Sequence, residues 1–332
     1  MRIAVVTDAT IINSHYRAYP LDGLRARGHA VGVLASMADA TRCPPRDCDV
    51  AFVYRFNEPE ALRLVRDLRD AGVAIVWDDD DDHTGGPAGF GMRKGALSSQ
   101  SVRRQIAQMV RVADVVTTTS EVLAAQYREL GAASVRVVEN YLPASFEAPR
   151  PAHEGVVVGW VATPDHRYDL RALGIREALL ALLADHPEVR LESLGIDLGL
   201  PPERHRHTRR VEYLDLPSWL ARLDVGIAPL ADHPSNRARS NAKLKEYAAM
   251  EIPWLASPTG PYAGLGEREG GRLVPDDAWQ RELDRLVRSP RDRRKLAKRG
   301  RRWAKGQRVE RHLGAWEEAL SEARERAGAR AS

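Results

Sequence analysis

Short apolar runs alternate with longer amphipathic stretches along this chain. In the first half, the runs predict strands at 3–7, 30–34, 50–54, 73–77, 114–118 and 135–138. Between them, the spacing of apolar positions predicts helices around 16–27, 58–71, 98–112 and 121–130. Gly28 and Gly72 follow the first two helices, at the position where a glycine commonly ends a helix. This alternation is typical of βαβ units in a parallel sheet.

The pattern pauses at 139–155, which holds three prolines, and then a second set of strands and helices begins. Strands are predicted at 156–162, 189–194, 211–214, 224–230, 253–257 and 271–275. Helices are predicted from Asp169 and at 241–250, and a helical tail from 276 has breaks at Pro290 and Gly306.

Two such sets predict two domains with a ligand cleft between them, since ligands of these sheets bind beyond the carboxyl ends of the strands. The expected divisions are a first domain at 1–145, a linker at 146–154, a second domain at 155–305, and a C-terminal helix at 306–332 that packs back on the first domain.

Composition narrows the class of protein. Of 332 residues, 43% are apolar and 29% charged, which is ordinary for globular proteins. No apolar run approaches the roughly 20 residues that span a bilayer, and the first residues lack a signal-peptide pattern, so a cytoplasmic location is expected. The turn after the first strand has no glycine, which disfavours a dinucleotide site there. Cys43 and Cys48, or His205 and His207 in a predicted loop, are too few ligands for a metal site, so no metal is predicted.

Positive charge is concentrated near the C-terminus. The segment 285–311 has 13 Lys and Arg against 2 Asp and Glu, in a chain whose net charge is +4. Because the excess is local, no nucleic-acid partner is predicted. This segment is either a solvated helix face or a surface for peripheral contact with anionic lipid at the inner membrane face.

The most specific pattern lies at 224–262. A strand runs to Pro229, a helix carries Glu246 followed by small residues, and Ile252-Pro253 opens the next strand. This segment resembles the donor-nucleotide segment of GT-B glycosyltransferases, especially glycosyltransferase family 4. The segment 117–143, with Asn140, resembles the end of that family's N-terminal domain, and the resemblance runs in order along the whole chain.

The resemblance implies a GT-B fold, an α/β architecture of two Rossmann-like doubly wound domains that face a central cleft. It implies transfer of a sugar from a nucleotide-diphosphate-sugar donor to an acceptor, with retention and without a metal or cofactor. Glu246 would accept hydrogen bonds from the donor ribose. The leaving diphosphate would take the acceptor's proton, while Arg167 and Lys243 stabilise its growing charge.

Lys243 precedes Glu246 by three residues, on the same helical face, and the helix N-terminus at Ser240-Asn241 can meet a diphosphate. The alternative is a solvated surface pair. Ala238 stands where the family has a second Glu, so Arg237, Arg239 and Ser240 are expected to serve instead. In the loop at 159–170 the alternative is a helix cap at Asp169. The full expected donor set is Thr163, His166, Arg167, Pro229, Arg237, Ser240, Asn241, Lys243 and Glu246.

Two segments of the first domain are expected at the acceptor. Five consecutive aspartates, Asp78 to Asp82, follow the fourth strand, and Asp79 to Asp82 are expected to bind acceptor hydroxyls or amines. The alternatives are a divalent cation and a solvated loop. His15, Tyr16 and Arg17 follow the first strand and face the same cleft. His15 is a candidate catalytic base, or else polar surface.

Two other functions remain open from the sequence. A sugar-nucleotide epimerase or hydrolase would share the architecture and act without an acceptor. A non-catalytic nucleotide-sugar-binding protein would bind the donor without turnover, in keeping with the alanine at 238. The donor base and sugar, the acceptor and the oligomeric state are not predicted.

Overall fold

Two six-stranded parallel sheets form the frame of the protein in a computed structural model, which describes residues 1–10, 13–83, 99–143 and 146–331. The first sheet has the order β2-β1-β3-β4-β5-β6 and comprises β1 Arg2–Val6, β2 Ala30–Leu34, β3 Val50–Tyr54, β4 Ala74–Asp78, β5 Val115–Thr118 and β6 Val135–Val137. The second has the order β12-β11-β10-β7-β8-β9 and comprises β7 Val156–Ala162, β8 Val189–Gly195, β9 His205–Thr208, β10 Val225–Ala228, β11 Trp254–Ala256 and β12 Gly271–Leu273.

Helices cover the faces of both sheets. Those before the second sheet are α1 Ser14–Arg17, α2 Met37–Arg42, α3 Pro59–Asp70, α4 Ser99–Val112 and α5 Glu121–Glu129. Those after it begins are α6 Arg167–Ala172, α7 Ile175–Asp185, α8 Leu216–Leu220, α9 Pro234–Arg237, α10 Ala242–Ala249, α11 Trp279–Arg288, α12 Pro290–Gly306 and α13 Leu313–Ala331. None of the helices in the described ranges has an apolar stretch that would cross a bilayer.

The first sheet is buried on both faces, as parallel sheets require. Every residue of β3 and β4 is buried. One face packs on α3 and α4, and the other packs on α13, whose Trp316 meets Phe52 edge-on with ring centroids 5.5 Å apart. The C-terminal helix thus completes the core of the first sheet after the chain has built the second.

The second sheet also has a core on each face. Its central strands lie close to α10, because Gly226 of β10 has no side chain: a Cβ there would come within 2.7 Å of the Tyr247 ring. The Tyr247 hydroxyl donates to the carbonyl of Ile227 at 3.0 Å. This close approach fixes α10, and with it Glu246, relative to the strand ends.

The predicted strands lie where the structure has them, with one exception. Residues 211–214 were expected to form a strand, but Tyr213–Asp215 is a 3₁₀ turn, and the strand is instead the polar segment His205–Thr208. A polar sequence suffices for β9 because it is an edge strand, bonded only to β8. The aromatic ring of Tyr213 is buried against the first domain. The apolar pattern around Tyr213 therefore reflects this contact between domains and not a strand.

The helix predicted at 16–27 is also divided. Residues 14–17 form α1, and Tyr19–Arg27 form a 3₁₀ helix. Pro20 lies at the junction, where it lacks the N–H that an uninterrupted α-helix would need.

Candidate functional site

Glu246 lies at the interface of the two domains. It is on α10, is 6% exposed, and accepts a hydrogen bond from the hydroxyl of Tyr16 on α1 of the first domain. Burial raises the pKa of Glu246, and the Tyr16 bond and the Lys243 charge oppose that rise. The alternative of a solvated Lys243–Glu246 surface pair is therefore wrong for Glu246.

One cation, Lys243, lies beside this carboxylate, and a second, Arg239, lies near Lys243. Lys243 is one helical turn before Glu246, and Arg239 is held by a 3.0 Å bond from its Nε to Oδ1 of Asn236. Burial and the charge of Arg239 lower the pKa of Lys243 to about 8, although Glu246 and Asp169 oppose the change. Two cations that repel each other in a partly buried cleft would be stabilised by an anion between them.

His166 lies near the same cations. Its Nδ1 is 2.7 Å from Oδ2 of Asp169. Burial, followed by the charges of Lys243 and Arg239, lowers the pKa of His166 to about 3. The imidazole is therefore neutral at ordinary pH.

Asp169 does not cap a helix, which was the alternative for this loop. Helix α6 begins at Arg167, and no side chain caps it. The buried carboxylate of Asp169 instead accepts from the backbone N–H of Ala231 at 2.9 Å and from Nδ2 of Asn236 at 2.7 Å. Asp169 contacts the segment after β10 because the Ala231 N–H and the Asn236 amide of that segment are buried and need an acceptor.

Three other residues expected at the donor, Pro229, Thr163 and Arg167, differ in exposure. Pro229 is buried directly after β10, whereas Thr163, in the loop after β7, and Arg167, the first residue of α6, are exposed. Arg237 is engaged with the exposed Asp232 at 2.6 and 2.7 Å.

The start of α10 contacts the first domain. Asn241 is the N-cap residue and makes no side-chain cap bond. Ser240 accepts from Nδ2 of Asn140 at 3.1 Å.

The acidic run is mostly internal, and the alternative of a solvated loop is wrong for its first three members, Asp78, Asp79 and Asp80. Asp78 is bound by Arg17 and by the Thr117 hydroxyl, and both Arg17 and Asp78 are fully buried. Asp80 accepts from Tyr54 at 2.8 Å and from Asn13 at 2.7 Å. Like charges remain adjacent in the fold because each acquires its own donors.

Arg55 and His83 neutralise the rest of this cluster. The Nε of Arg55 is 3.1 Å from Asp80, and its Nη2 is 3.1 Å from Asp81. Asp79 lies 3.1 Å from Nε2 of His83 and raises the pKa of His83 to about 9. Burial would raise the pKa of Asp81, but Arg239, Arg55 and His83 outweigh it and lower that pKa to about 2. The partly exposed Asp81 therefore stays ionised, and Arg239 acts on it from the second domain.

Comparisons with known proteins agree with this arrangement. A family model described as "Glycosyl transferase-like" matches residues 171–316, the part of the chain that contains β8 to β12 and α10. This part of the chain is similar to that family. A sequence search of curated proteins finds no match.

Solved structures share the fold of this protein over nearly its whole length. Sucrose-phosphate synthase from Thermosynechococcus elongatus superposes with a TM-score of 0.70 at 15% identity, covering 97% of this chain and 100% of that one. HepE from Anabaena, in complex with UDP and glucose, superposes with a TM-score of 0.69 at 13% identity, covering 96% and 99%. The predicted GT-B fold, with two Rossmann-like domains facing a cleft, is confirmed.

The fold alone does not distinguish transfer from epimerisation. A putative UDP-N-acetylglucosamine 2-epimerase from Listeria monocytogenes has the same fold, with a TM-score of 0.56 at 12% identity and coverage of 97% and 98%. The family match at 171–316 favours the glycosyltransferase.

Two residues at the contact between the domains, Lys245 and Tyr213, were not predicted from the sequence. Lys245 is fully buried, and its Nζ lies 2.8 Å from both Glu139 Oε2 and the Asn140 carbonyl oxygen. His15 stacks on Tyr213, with ring centroids 4.0 Å apart. No local pattern indicates these contacts, because each joins residues of different domains.

Proposed function

We propose that this protein transfers a sugar from a nucleotide-diphosphate-sugar donor, held by the second domain, to an acceptor held by the first. The observation that carries the proposal is that Lys243 lies beside the buried carboxylate of Glu246 and has a second cation, Arg239, near it. Lys243 and Arg239 can bind the negative charges of a diphosphate. The Glu246 carboxylate can accept hydrogen bonds from the ribose hydroxyls. The family match supports the same reading of this segment.

The transfer is proposed to proceed with retention and to need no metal ion. The reaction places growing negative charge on the leaving diphosphate, and Lys243 and Arg167 stabilise that charge electrostatically. The acceptor oxygen attacks the anomeric carbon directly as the bond from that carbon to the diphosphate breaks, and a diphosphate oxygen takes the proton of the acceptor hydroxyl. Neither a protein nucleophile nor a protein base is then required. Arg239 adds a third cation. It follows Ala238, the residue that stands where the resembled family has its second Glu.

The acceptor is proposed to lie against the end of the first sheet. Asp81 and Asp82 are the members of the acidic run with partial exposure, and His15, on α1, is half-buried at the same cleft. Asp79, Asp80, Tyr16 and Arg17 are bonded inside the protein, so their part is to hold this surface in shape. Its mixed charges suit a polar, hydroxyl-bearing acceptor.

Thermal unfolding in the presence of a panel of ligands tests the proposed donor. The panel comprises UDP, ADP, GDP and dTDP, each with its glucose derivative. A ligand at 100 times its dissociation constant should stabilise the protein by about 2.7 kcal/mol. Stabilisation by one nucleotide series is the expected result, and no stabilisation by any member at millimolar concentration would contradict a nucleotide-sugar function.

Helix α12 carries the basic segment and is proposed to contact anionic lipid. Leu296 and Ala304 are buried against the second domain. Several basic residues of the opposite side are exposed, while Lys295 and Arg299 pair with Glu267 at 3.6 and 2.6 Å. The exposed residues without such pairs in the described part of the chain are Arg291, Arg294, Lys298, Arg302 and Lys305.

Co-sedimentation with vesicles tests this contact. At low salt, the protein should bind vesicles that contain phosphatidylserine and not vesicles of phosphatidylcholine alone, because each Lys or Arg near an anionic surface contributes about 1 kcal/mol. High salt should release it. Replacing Lys298, Arg302 and Lys305 by Gln should weaken binding, and equal binding by this variant would place the contact elsewhere.

A further inference from the structure

We propose that His166 recognises a hydroxyl group of the transferred sugar through its Nε2 atom, and that Asp169 is the positioning residue that prepares His166 for this. The inference rests on the nucleotide-sugar donor proposed above and assigns a substrate contact within that site. It follows from the hydrogen bonds of one buried carboxylate.

The two oxygens of the Asp169 carboxylate have separate duties. Oδ1 accepts from the backbone N–H of Ala231 at 2.9 Å and from Nδ2 of Asn236 at 2.7 Å, whereas Oδ2 faces Nδ1 of His166 at 2.7 Å. These donors favour the ionised carboxylate and lower the pKa of Asp169 against the effect of burial. Because an ionised carboxylate can only accept, Nδ1 of His166 must carry the proton.

The tautomer of His166 decides what its other nitrogen can bind. With the proton on Nδ1 of a neutral ring, Nε2 presents a lone pair and has no hydrogen-bond partner in the described ranges of the chain. The groups around the ring are Asp169, the Trp160 ring at 5.7 Å, and the cations Lys243 and Arg239. A hydrogen-bond acceptor therefore lies among groups that bind anions.

This arrangement distinguishes the two halves of a sugar nucleotide. The diphosphate of a sugar nucleotide is fully ionised at neutral pH, so its oxygens have no proton to give to Nε2 and would be repelled by the lone pair. Lys243 and Arg239 satisfy those oxygens instead. A sugar hydroxyl next to the diphosphate can donate to Nε2, and the His166 ring then discriminates a sugar that has this hydroxyl from one that lacks it.

Asp169 also sets the position of Arg239. Asn236, bound to Asp169 through Nδ2, accepts from Arg239 Nε through its own Oδ1 at 3.0 Å. Gly260 packs so closely on this turn that a Cβ would lie 2.6 Å from the Asn236 carbonyl oxygen. The chain Asp169–Asn236–Arg239 thus fixes the cation and the imidazole relative to each other.

The substitution Asp169→Asn tests the inference with little change of shape. The amide oxygen can keep the Ala231 and Asn236 bonds, while the amide NH₂ takes the place of Oδ2 and donates to Nδ1. His166 must then carry its proton on Nε2, which becomes a donor. Nitrogen-15 NMR of the imidazole, assigned with His166→Leu, should show protonated Nδ1 in the native protein and protonated Nε2 in Asp169→Asn. A native His166 that is charged, or protonated on Nε2, overturns the inference.

Calorimetric titration with UDP-glucose and with UDP gives the functional readout. Asp169→Asn and His166→Leu should each reduce the preference for UDP-glucose over UDP roughly tenfold, the effect of one hydrogen bond, and should bind UDP nearly as the native protein does. Asp284→Asn is the control: it changes another His–Asp pair, the partly buried His186–Asp284 at 2.8 Å, and should leave both affinities unchanged.

Three outcomes contradict this account in different ways. An unchanged UDP-glucose preference in both variants removes His166 from sugar recognition, while native UDP binding keeps the proposed function. Loss of UDP affinity equal to that of UDP-glucose would assign His166 to the diphosphate. If the native protein binds none of the nucleotides in the thermal panel, the proposed function fails, and the NMR tautomer alone judges the role of Asp169.

Discussion

Replacing Lys243 by alanine should reduce turnover of a sugar nucleotide by about 10²-fold, which is the loss expected when one preorganised donor to a developing oxyanion is removed. The ground state of the diphosphate is already charged, so binding of the bare nucleotide should fall less than turnover does. Lys243→Arg should recover part of the activity. Arg66→Ala, which removes an exposed cation from α3, should leave turnover unchanged.

The pH dependence of the native enzyme checks the same residue. Since the pKa of Lys243 in the free protein is lowered to about 8, its ammonium group is present below that pH and is lost as the pH rises through it. We therefore expect kcat/KM to fall above about pH 8, because this ratio reports the free enzyme. Native turnover in Lys243→Ala, or an unchanged alkaline limb in that variant, would remove Lys243 from the reaction.

Removing the buried guanidinium of Arg17 should lower the free energy of unfolding by about 3–5 kcal/mol, because Asp78 would be left as an uncompensated buried charge. Both side chains are fully buried, with Arg17 Nε 2.9 Å from Asp78, and the guanidinium also lies 4.5 Å from the centre of the Trp316 ring. Arg17 therefore joins α1, β4 and the C-terminal helix.

Urea unfolding of Arg17→Ala and Arg2→Ala measures this effect. Arg2 forms an ion pair with Asp49 at 3.2 Å, but its side chain is 63% exposed, so its removal should cost less than about 1 kcal/mol. The double variant Arg17→Met, Asp78→Leu should recover much of the loss, since it leaves no unpaired charge. Equal midpoints for Arg17→Ala and Arg2→Ala would contradict the account.

The periodicity of the sequence predicts the fold well, because strands such as Val50–Tyr54 and Trp254–Ala256 must be apolar on both faces to fit a parallel sheet. The periodicity gives a wrong strand at 211–214, where a side chain is buried by the other domain and not by its own sheet. Tyr213 has an apolar pattern because it packs under His15 of the other domain, and the strand is the polar segment beside it.

The candidate site was only partly predictable. Glu246 and Lys243 follow from a local pattern on one helix. The aspartates after β4 look solvated in the sequence, because their partners Arg17, Tyr54 and Arg55 lie 25 to 61 residues away in the chain, elsewhere in the first domain. Asp169 looks like a helix cap in the sequence because its partners Ala231 and Asn236 are also distant in the chain, on the far side of β10.

Calorimetric titration of the native protein and Glu246→Gln with the nucleoside diphosphate that stabilises it most tests the central claim, that the cleft beside α10 holds the nucleotide of the donor. The substitution keeps the shape of the side chain and removes the charged acceptor, and the Tyr16 bond can persist to the amide oxygen. We predict binding to the native protein, and an affinity roughly ten- to a hundredfold lower for Glu246→Gln, as expected for the loss of hydrogen bonds to a charged group. Equal affinity of the two proteins for the nucleotide would show that the donor does not bind at Glu246 and would contradict the account.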